Sequence, residues 1–303
     1  MADRSAIEWT DATWNPVRGC ALVSAGCTNC YAMRDAHRFS GPGKPYDGLT
    51  KLTEHGPVWT GEVRLVPELL DQPLRWRKPR RIFVNSMSDL FHPDVPDEFI
   101  CRVFEVMTTC NGYYADSPSP HMFQILTKRP ERQREFMGKW IAAKGHDWLR
   151  EHGHRVWLGV SVEDQKTADE RIPILLRTLA AVQWVSAEPL LGPIDLGEYL
   201  EGDRWMASEE PMDGWLDWIA VGGESGPHAR PMHPDWVRSI RDQCLAAQVP
   251  FFFKQWGEYL PSGQSDVEGD SQQTDADYAR VGKKAAGRFL DDRTWSEMPR
   301  IIP

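Results

Sequence analysis

A chain of 303 residues with 41% hydrophobic residues has enough apolar material for one large core or two modest ones. Its 35 basic and 44 acidic side chains give a net charge of −9, which disfavours nonspecific coating of nucleic acid. No apolar stretch approaches the roughly 18 residues of a transmembrane helix, and no signal-peptide core follows Met1. We therefore expect a soluble, cytoplasmic protein with no membrane partner. In a reducing cytosol, its six cysteines favour metal binding or redox chemistry over disulfides.

Short apolar runs predict buried strands, and longer amphipathic stretches between them predict helices. The strands are expected at residues 14–18, 82–84, 122–126, 156–160, 182–185, 218–221 and 249–253. The helices are expected at residues 31–38, 97–110, 130–142, 164–179 and 234–247. This alternation predicts an α/β fold with a TIM-like parallel β/α barrel, full or partial.

The domain organisation follows from the same pattern. The barrel is expected over residues 1–260, with a cysteine-containing loop at 18–31 and an insertion at 40–80. Residues 261–277 are polar and acidic, which indicates a flexible loop. Residues 278–303 regain apolar side chains and are expected to extend the barrel by packing back onto it.

Polar residues follow each predicted strand, where a parallel barrel places its active site. They are Asn85, Ser86, Ser88, Asp89, Lys128, Ser161, Glu163, Ser186, Glu188, Gly222, Gly223, Glu224 and Lys254. The three glutamates predict a mouth ringed by carboxylates, which need cations, hydroxyl groups or ammonium groups as partners. The alternative is that these polar residues only cap the helices that follow. Our candidate catalytic residues are Lys128, Glu188, Glu224 and Lys254.

Three cysteines stand in the loop after the first strand. Six residues separate Cys20 from Cys27, and two separate Cys27 from Cys30. Three thiolates can ligate three irons of a [4Fe–4S] cluster and leave the fourth iron open to a cofactor or substrate. Two alternatives stay open: a zinc site completed by His37, and a loop with a disulfide or without a metal.

Short motifs over nearly the whole chain carry a family resemblance. They are Ile7-Glu8-Trp9-Thr10, Thr13-Trp14-Asn15-Pro16, the three-cysteine loop, Asn85-Ser86-Met87-Ser88-Asp89-Leu90-Phe91-His92, Leu126-Thr127-Lys128-Arg129-Pro130, Gly159-Val160-Ser161-Val162-Glu163, Ser186-Ala187-Glu188-Pro189, Gly222-Gly223-Glu224-Ser225-Gly226, Phe253-Lys254-Gln255-Trp256-Gly257 and Gly282-Lys283-Lys284-Ala285-Ala286-Gly287-Arg288. The sequence resembles a three-cysteine family of unknown function encoded by bacteria and phages. That family in turn resembles the radical S-adenosylmethionine superfamily.

The resemblance implies an enzyme in which Cys20, Cys27 and Cys30 ligate a [4Fe–4S] cluster. The open iron would bind S-adenosylmethionine, and an electron donor would drive its reductive cleavage to a 5′-deoxyadenosyl radical. A further partner protein is open. The residues expected to cradle this cofactor are Tyr31, Asn85, Ser86, Ser88, Asp89, Ser161, Glu163, Ser186, Gly222 and Gly223. The cysteine spacing departs from the superfamily's three then two, and Gly222-Gly223-Glu224 follows the sixth strand instead of the second.

Two basic clusters bear on the substrate. They are Arg75, Arg77, Lys78, Arg80 and Arg81 around Trp76, and Lys128, Arg129, Arg132 and Arg134. Cations interleaved with an aromatic side chain suit a nucleic acid or nucleotide, although a solvated charged face is the simpler interpretation. The rival functions are a zinc-stabilised, non-catalytic nucleic-acid-binding barrel and a metal-dependent hydrolase that uses the glutamates.

Overall fold

The computed structural model describes residues 5–110, 120–200, 215–264, 277–291 and 293–299, which form a mixed α/β fold. The strands are β1 (Ala12–Trp14), β2 (Val17–Arg18), β3 (Thr50–Thr53), β4 (Gly56–Trp59), β5 (Arg64–Leu65), β6 (Arg81–Val84), β7 (Met122–Thr127), β8 (Val156–Val162), β9 (Gln183–Ala187), β10 (Trp218–Gly222), β11 (Phe251–Gln255), β12 (Tyr259–Pro261), β13 (Tyr278–Arg280), β14 (Phe289–Leu290) and β15 (Arg293–Thr294). The helices are α1 (Tyr31–Arg38), α2 (Asp97–Thr109), α3 (Pro130–Lys144), α4 (Asp147–His152), α5 (Gln165–Leu176), α6 (Gly197–Leu200), α7 (Pro234–Ala246) and α8 (Lys283–Ala286).

Seven strands form the main sheet in the order β1-β6-β7-β8-β9-β10-β11. The pairs β1/β6, β6/β7, β9/β10 and β10/β11 are parallel. Parallel neighbours that follow chain order, with helices in the connections, are the arrangement of a partial β/α barrel. The six later strands predicted from apolar runs are confirmed as β6 to β11, and the five predicted helices are confirmed as α1, α2, α3, α5 and α7.

The first strand lies earlier in the chain than predicted. The sheet strand is β1, whereas β2 leaves the sheet and pairs antiparallel with β5. Pro16 stands between them and has no N–H to donate to a neighbouring strand, so the sheet ladder ends before it. The Trp14 indole then fixes the end of β1 by donating to the Leu69 carbonyl oxygen at 2.7 Å.

Helix α2 shows how local sequence sets an element. Pro96 precedes it in an extended conformation, and the acidic residues Asp97 and Glu98 occupy its first turn, where the helix dipole favours negative charge. One stripe of the helix is buried, formed by Phe99, Ile100, Val103, Phe104 and Met107. The predicted apolar face is therefore the face that packs.

The contacts divide the chain into two compact units. The first contains residues 1–159 and 178–182 with 302–303, and the second contains residues 160–177 and 183–301. In the first, Phe104 packs against Phe136 and Trp140, with ring centroids 5.0 and 5.4 Å away. A single barrel domain over residues 1–260 stays a prediction.

In the second unit, Trp184, Trp218 and Phe252 form a ladder of rings across β9, β10 and β11, with centroids 5.0 and 5.9 Å apart. The tail contacts β11 in this unit, where the Phe253 N–H donates to the Trp295 carbonyl oxygen at 3.1 Å, and its assignment as an extension of the barrel stays a prediction. Most of the predicted flexible loop, residues 265–276, lies outside the described residues. Within the described ranges, no helix is long and apolar enough to cross a membrane.

Candidate functional site

The cysteine loop begins at a glycine that no other residue can replace without strain. Gly19 has a φ of +87°, and a Cβ at this position would lie 2.2 Å from the Glu62 carbonyl oxygen. A side chain at this position would therefore strain the backbone and collide with the loop that precedes β5. Gly19 also forms an isolated parallel bridge with Ser88.

The residues after β6 fasten this loop. The Asn85 amide oxygen accepts from the Val17 N–H at 3.3 Å, and the Ser88 hydroxyl donates to the Val17 carbonyl oxygen at 2.8 Å. The Tyr31 hydroxyl donates to the Ser86 carbonyl oxygen at 2.6 Å. Asn85 adopts a φ of 59°, which asparagine tolerates better than most residues. These four residues thus have protein partners, and their assignment to a cofactor stays a prediction.

The three loop thiols lie half-buried, and none of the six cysteines is in a disulfide. Burial and the Asp89 carboxylate raise the pKa of the Cys20 thiol to about 12, and Cys30 and Cys27 also raise it. Burial raises the pKa of Cys30, while the N–H of Ala32 and the Lys128 ammonium act to lower it. Each thiol therefore lies within electrostatic reach of the others.

Three thiols of one loop are the residues that could supply sulfur to a metal, and Lys128 and Arg129 act electrostatically on Cys30 and Cys20. These cations act to lower the pKa of the two thiols, but burial outweighs them and the pKa of Cys20 and of Cys30 stays raised. However, no group of three or more His, Cys, Asp or Glu among the described residues is gathered as a metal centre. For the zinc alternative, His37 Nδ1 lies 3.1 Å from the Thr50 hydroxyl.

A small hydrophobic cluster shared by α1 and the 40–80 insertion lies beside the loop. Cys20 and Cys30 pack against it, together with Met87 and Val58. Its buried members come from α1, the following turn and the hairpin of β3 and β4: Ala32, Met33, Ala36, Tyr46, Leu49 and Trp59. The insertion therefore helps to shape the surroundings of the thiols.

In the second unit, we define the strand-end cluster as Ser186, Glu188, Gly222 and Lys254. Lys254 Nζ donates to both Glu188 carboxylate oxygens, at 2.7 and 2.8 Å. A Cβ on Gly222 would lie 3.1 Å from the Glu188 carboxyl carbon, so the glycine leaves room for this pair. Ser186 is buried two residues before Glu188.

The three predicted carboxylates each have a cation as partner. Arg171 Nη1 lies 3.2 Å from Glu163 and donates to the Ser161 carbonyl oxygen at 2.7 Å. Arg230 Nη2 lies 2.6 Å from Glu224. The Glu163 side chain is 0% exposed and that of Glu224 is 4% exposed, compared with 21% for Glu188. Of the three, Glu188 is therefore the carboxylate best placed to meet a ligand.

The Gly222-Gly223-Glu224 segment is shaped by packing against the end of β11. A Cβ on Gly223 would lie 1.9 Å from the Trp256 carbonyl oxygen, and Gln255 Nε2 donates to the Gly223 carbonyl oxygen at 2.7 Å. Close backbone approach explains this glycine without a ligand.

The basic clusters differ from the sequence interpretation in one respect. Trp76 is buried under the Arg80 guanidinium, which lies 4.9 Å from its ring centroid, so the ring does not offer a surface for base stacking. Arg75, Arg77 and Lys78 are exposed.

Sequence reasoning missed the roles of three arginines. Arg129 pairs with Asp89 at 2.7 Å, while Arg171 and Arg230 neutralise two of the predicted glutamates. Arg171 follows Glu163 by eight residues across the turn into α5, where two helical turns return it towards the strand end. That spacing is a signal that could have identified the pair.

The comparisons with known proteins give a family and no activity. No curated protein and no solved structure matches the chain. A family match covers residues 4–299, which includes both units and the tail. The chain therefore belongs to the family described as "Protein of unknown function (DUF5131)".

Proposed function

We propose that the protein is a radical S-adenosylmethionine-type enzyme whose [4Fe–4S] cluster is ligated by Cys20, Cys27 and Cys30. The observation that supports the proposal is the placement of three half-buried thiols in one loop between the first sheet strand and α1. A sheet that follows chain order supports it, because that order suits a TIM-like partial barrel.

The chain's own residues have distinct parts in this proposal. The thiols supply three sulfur ligands, which must lose their protons on metal binding. Lys128 and Arg129 offset the negative charge that then accumulates. When bound, such a cluster supplies the electron for reductive cleavage of S-adenosylmethionine. An external electron donor completes the system, which we place in the cytoplasm.

The strand-end cluster is the proposed cofactor or substrate contact of the second unit. Glu188 offers a carboxylate to ammonium or hydroxyl groups, and Lys254 offers a cation to a carboxylate or phosphate. For the substrate we propose a nucleic acid or nucleotide, supported by the exposed cations Arg75, Arg77 and Lys78.

The test is anaerobic reconstitution with iron and sulfide, followed by metal and sulfide analysis of the wild type and the variants Cys20→Ser, Cys27→Ser and Cys30→Ser. We expect about four irons per chain in the wild type and loss of the cluster in each variant. Cys101→Ser is the matched control, because Cys101 is also half-buried but lies in α2. It should retain the iron.

Two results would overturn the proposal. One is stoichiometric zinc without iron, with unfolding of Cys27→Ser, which would favour the zinc-stabilised barrel. The other is full iron retention in the three loop variants. A separate outcome bears on the other rival. Enzymatic activity that is retained in Cys20→Ser, Cys27→Ser and Cys30→Ser would favour a metal-dependent hydrolase that uses the glutamates.

A further inference from the structure

We propose that the exposed side of α1 binds single-stranded nucleic acid, with unpaired bases stacked on Tyr31 and Phe39 and a phosphate paired with Arg38. We call this surface, formed by Tyr31, Arg34, Arg38 and Phe39, the α1 face. The inference deepens the proposed function and rests on its choice of a nucleic-acid substrate. The α1 face begins directly after Cys30, the last cysteine of the loop.

Exposed apolar side chains are concentrated in one stretch of the chain. Seven large hydrophobic side chains are exposed among the described residues, and five of them lie within residues 22–52: Leu22, Val23, Tyr31, Phe39 and Leu52. Single exposed apolar residues are ordinary on protein surfaces, whereas a concentration of them marks an interaction site. This stretch of the first unit is therefore the place to look for a bound partner.

Helix α1 separates a buried apolar side from an exposed aromatic and basic side. The buried side consists of Ala32, Met33 and Ala36, which belong to the hydrophobic cluster that includes Trp59 of β4. Tyr31, Arg34 and Arg38 follow the spacing of one helix stripe on the other side. Tyr31 is 40% exposed and Phe39, the residue after α1, is 53% exposed.

The two aromatic residues are held apart by a fixed backbone. Eight residues separate them, which corresponds to about 12 Å along the helix axis. The Tyr31 hydroxyl donates to the Ser86 carbonyl oxygen at 2.6 Å, and the Phe39 carbonyl oxygen accepts from the Tyr46 N–H at 3.2 Å. Two rings placed in this way can receive separate bases of one strand. Such stacking tolerates any sequence, because every base has a π-face.

The charge of the same stretch has the sign that phosphates require. Residues 18–52 contain five basic and two acidic side chains, a net charge of +3, whereas the whole chain carries −9. The Arg38 side chain is 76% exposed, and its pair with Asp35 is 4.0 Å long and screened by solvent. Arg38 can exchange this weak contact for a bidentate contact with a phosphate. Exposed rings beside cations favour nucleic acid over an acidic protein as the partner.

The α1 face also has what the other basic stretch lacks. Arg75, Arg77 and Lys78 are exposed, but the aromatic residue among them, Trp76, is buried. Cations alone bind single and double strands through their phosphates, whereas exposed rings bind only bases that are unpaired. We therefore assign the preference for single strands to α1.

The experiment is fluorescence anisotropy of the metal-free, full-length protein with labelled oligodeoxythymidine and oligouridine of about 12 nucleotides and with duplex DNA of the same length. We expect both single strands to bind more tightly than the duplex. Phe39→Ala should weaken binding of the single strands about tenfold through loss of one stacked base. Leu245→Ala is the matched control, since Leu245 is 46% exposed on α7, and it should bind like the wild type.

The salt dependence of binding tests the phosphate contact. Arg38→Gln should reduce the slope of log affinity against log salt concentration by about 0.7, the value for one phosphate contact on a single strand. Arg150→Gln is the control, because Arg150 also pairs with an aspartate three residues away, Asp147, and its side chain is 74% exposed. Its slope should equal that of the wild type.

Three results would overturn the inference. The first is a wild type that binds neither single strand, and the second is equal affinity of Phe39→Ala and the wild type for both strands. The third is self-association of the wild type, without oligonucleotide binding, that Phe39→Ala abolishes in analytical ultracentrifugation. This third result would assign the α1 face to a second copy of the chain.

The binding test and the enzyme test can fail separately. A wild type that forms 5′-deoxyadenosine but binds no oligonucleotide overturns the inference and leaves the enzyme class standing. A wild type that binds single strands through Phe39 but holds no iron supports the inference and contradicts the enzyme class.

Discussion

The cysteine loop of the first unit and the strand ends of the second unit both looked functional in sequence, but they use their polar residues differently. Around the loop, Asn85, Ser88 and Asp89 hold backbone and arginine groups that shape the surroundings of three thiols. At the strand ends, two of the three glutamates form ion pairs with buried or half-buried arginines. A polar residue after a strand is therefore a weak indication of a ligand until its partners are known.

The largest expected effect is a loss of stability on substitution of Gly19 in the cysteine loop. Gly19→Ala adds a Cβ 2.2 Å from a carbonyl oxygen at a φ of +87°, and we expect it to lower the free energy of unfolding by about 3 kcal/mol or more. Gly61→Ala is the control, because Gly61 has a φ of +94° with nothing within 4 Å of the added Cβ. It should cost about 1 kcal/mol.

Chemical denaturation of both variants measures the difference. Equal losses would show that the backbone conformation alone matters and that the close approach to Glu62 does not fix the loop. If Gly19→Ala still retained iron after reconstitution, the close approach of Gly19 to Glu62 would not be needed for iron binding by the thiols.

The next largest effect is the difference in stability loss between substitutions of Glu163 and Glu188. Glu163→Gln leaves Arg171 buried without a charged partner, so we expect a loss of about 3 kcal/mol in stability. The Glu188 carboxylate is 21% exposed, compared with 0% for Glu163, so solvent weakens its interaction with Lys254, and Glu188→Gln should cost about 1 kcal/mol. Thermal unfolding of the two variants under identical conditions provides the measurement.

The contrast would fail if Glu188→Gln proved the more destabilising substitution. Lys254 would then depend on Glu188 for stability, and the strand-end cluster would be a structural pair like Glu163 and Arg171.

The smallest effect concerns the tail of the second unit. Side-chain hydrogen bonds from Arg238 and then Arg241 hold the pKa of Asp291 at about 2, below its ordinary value of 3.8. The pair therefore stabilises the fold when the pH is above the ordinary value, and this contribution is lost as the pH falls towards 2. In this partly exposed setting we expect Asp291→Asn to cost about 1 kcal/mol at pH 7.

Urea denaturation of the wild type and Asp291→Asn at several pH values checks this. The stability difference should be constant from pH 7 to pH 5 and shrink below pH 4. A difference that grows on acidification would contradict the assigned ion pair.

Much of the fold was predictable because it depends on local pattern. The apolar runs around Phe83, Trp184 and Phe252 identify strands, and the stripe of α2 identifies a helix. The partners of side chains were not predictable, since Asp89 meets Arg129 from another strand end and Trp76 is covered by Arg80 through the path of a loop. Such contacts depend on tertiary packing, which neither periodicity nor spacing encodes.

The proposed cleavage of S-adenosylmethionine depends on the three thiols of the cysteine loop. The most direct measurement is the amount of 5′-deoxyadenosine formed when the anaerobically reconstituted protein is mixed with S-adenosylmethionine and a strong one-electron reductant. We expect 5′-deoxyadenosine from the wild type and from Cys101→Ser, and none from Cys27→Ser. A wild-type protein that carries a full cluster but yields no 5′-deoxyadenosine above the Cys27→Ser background would contradict it.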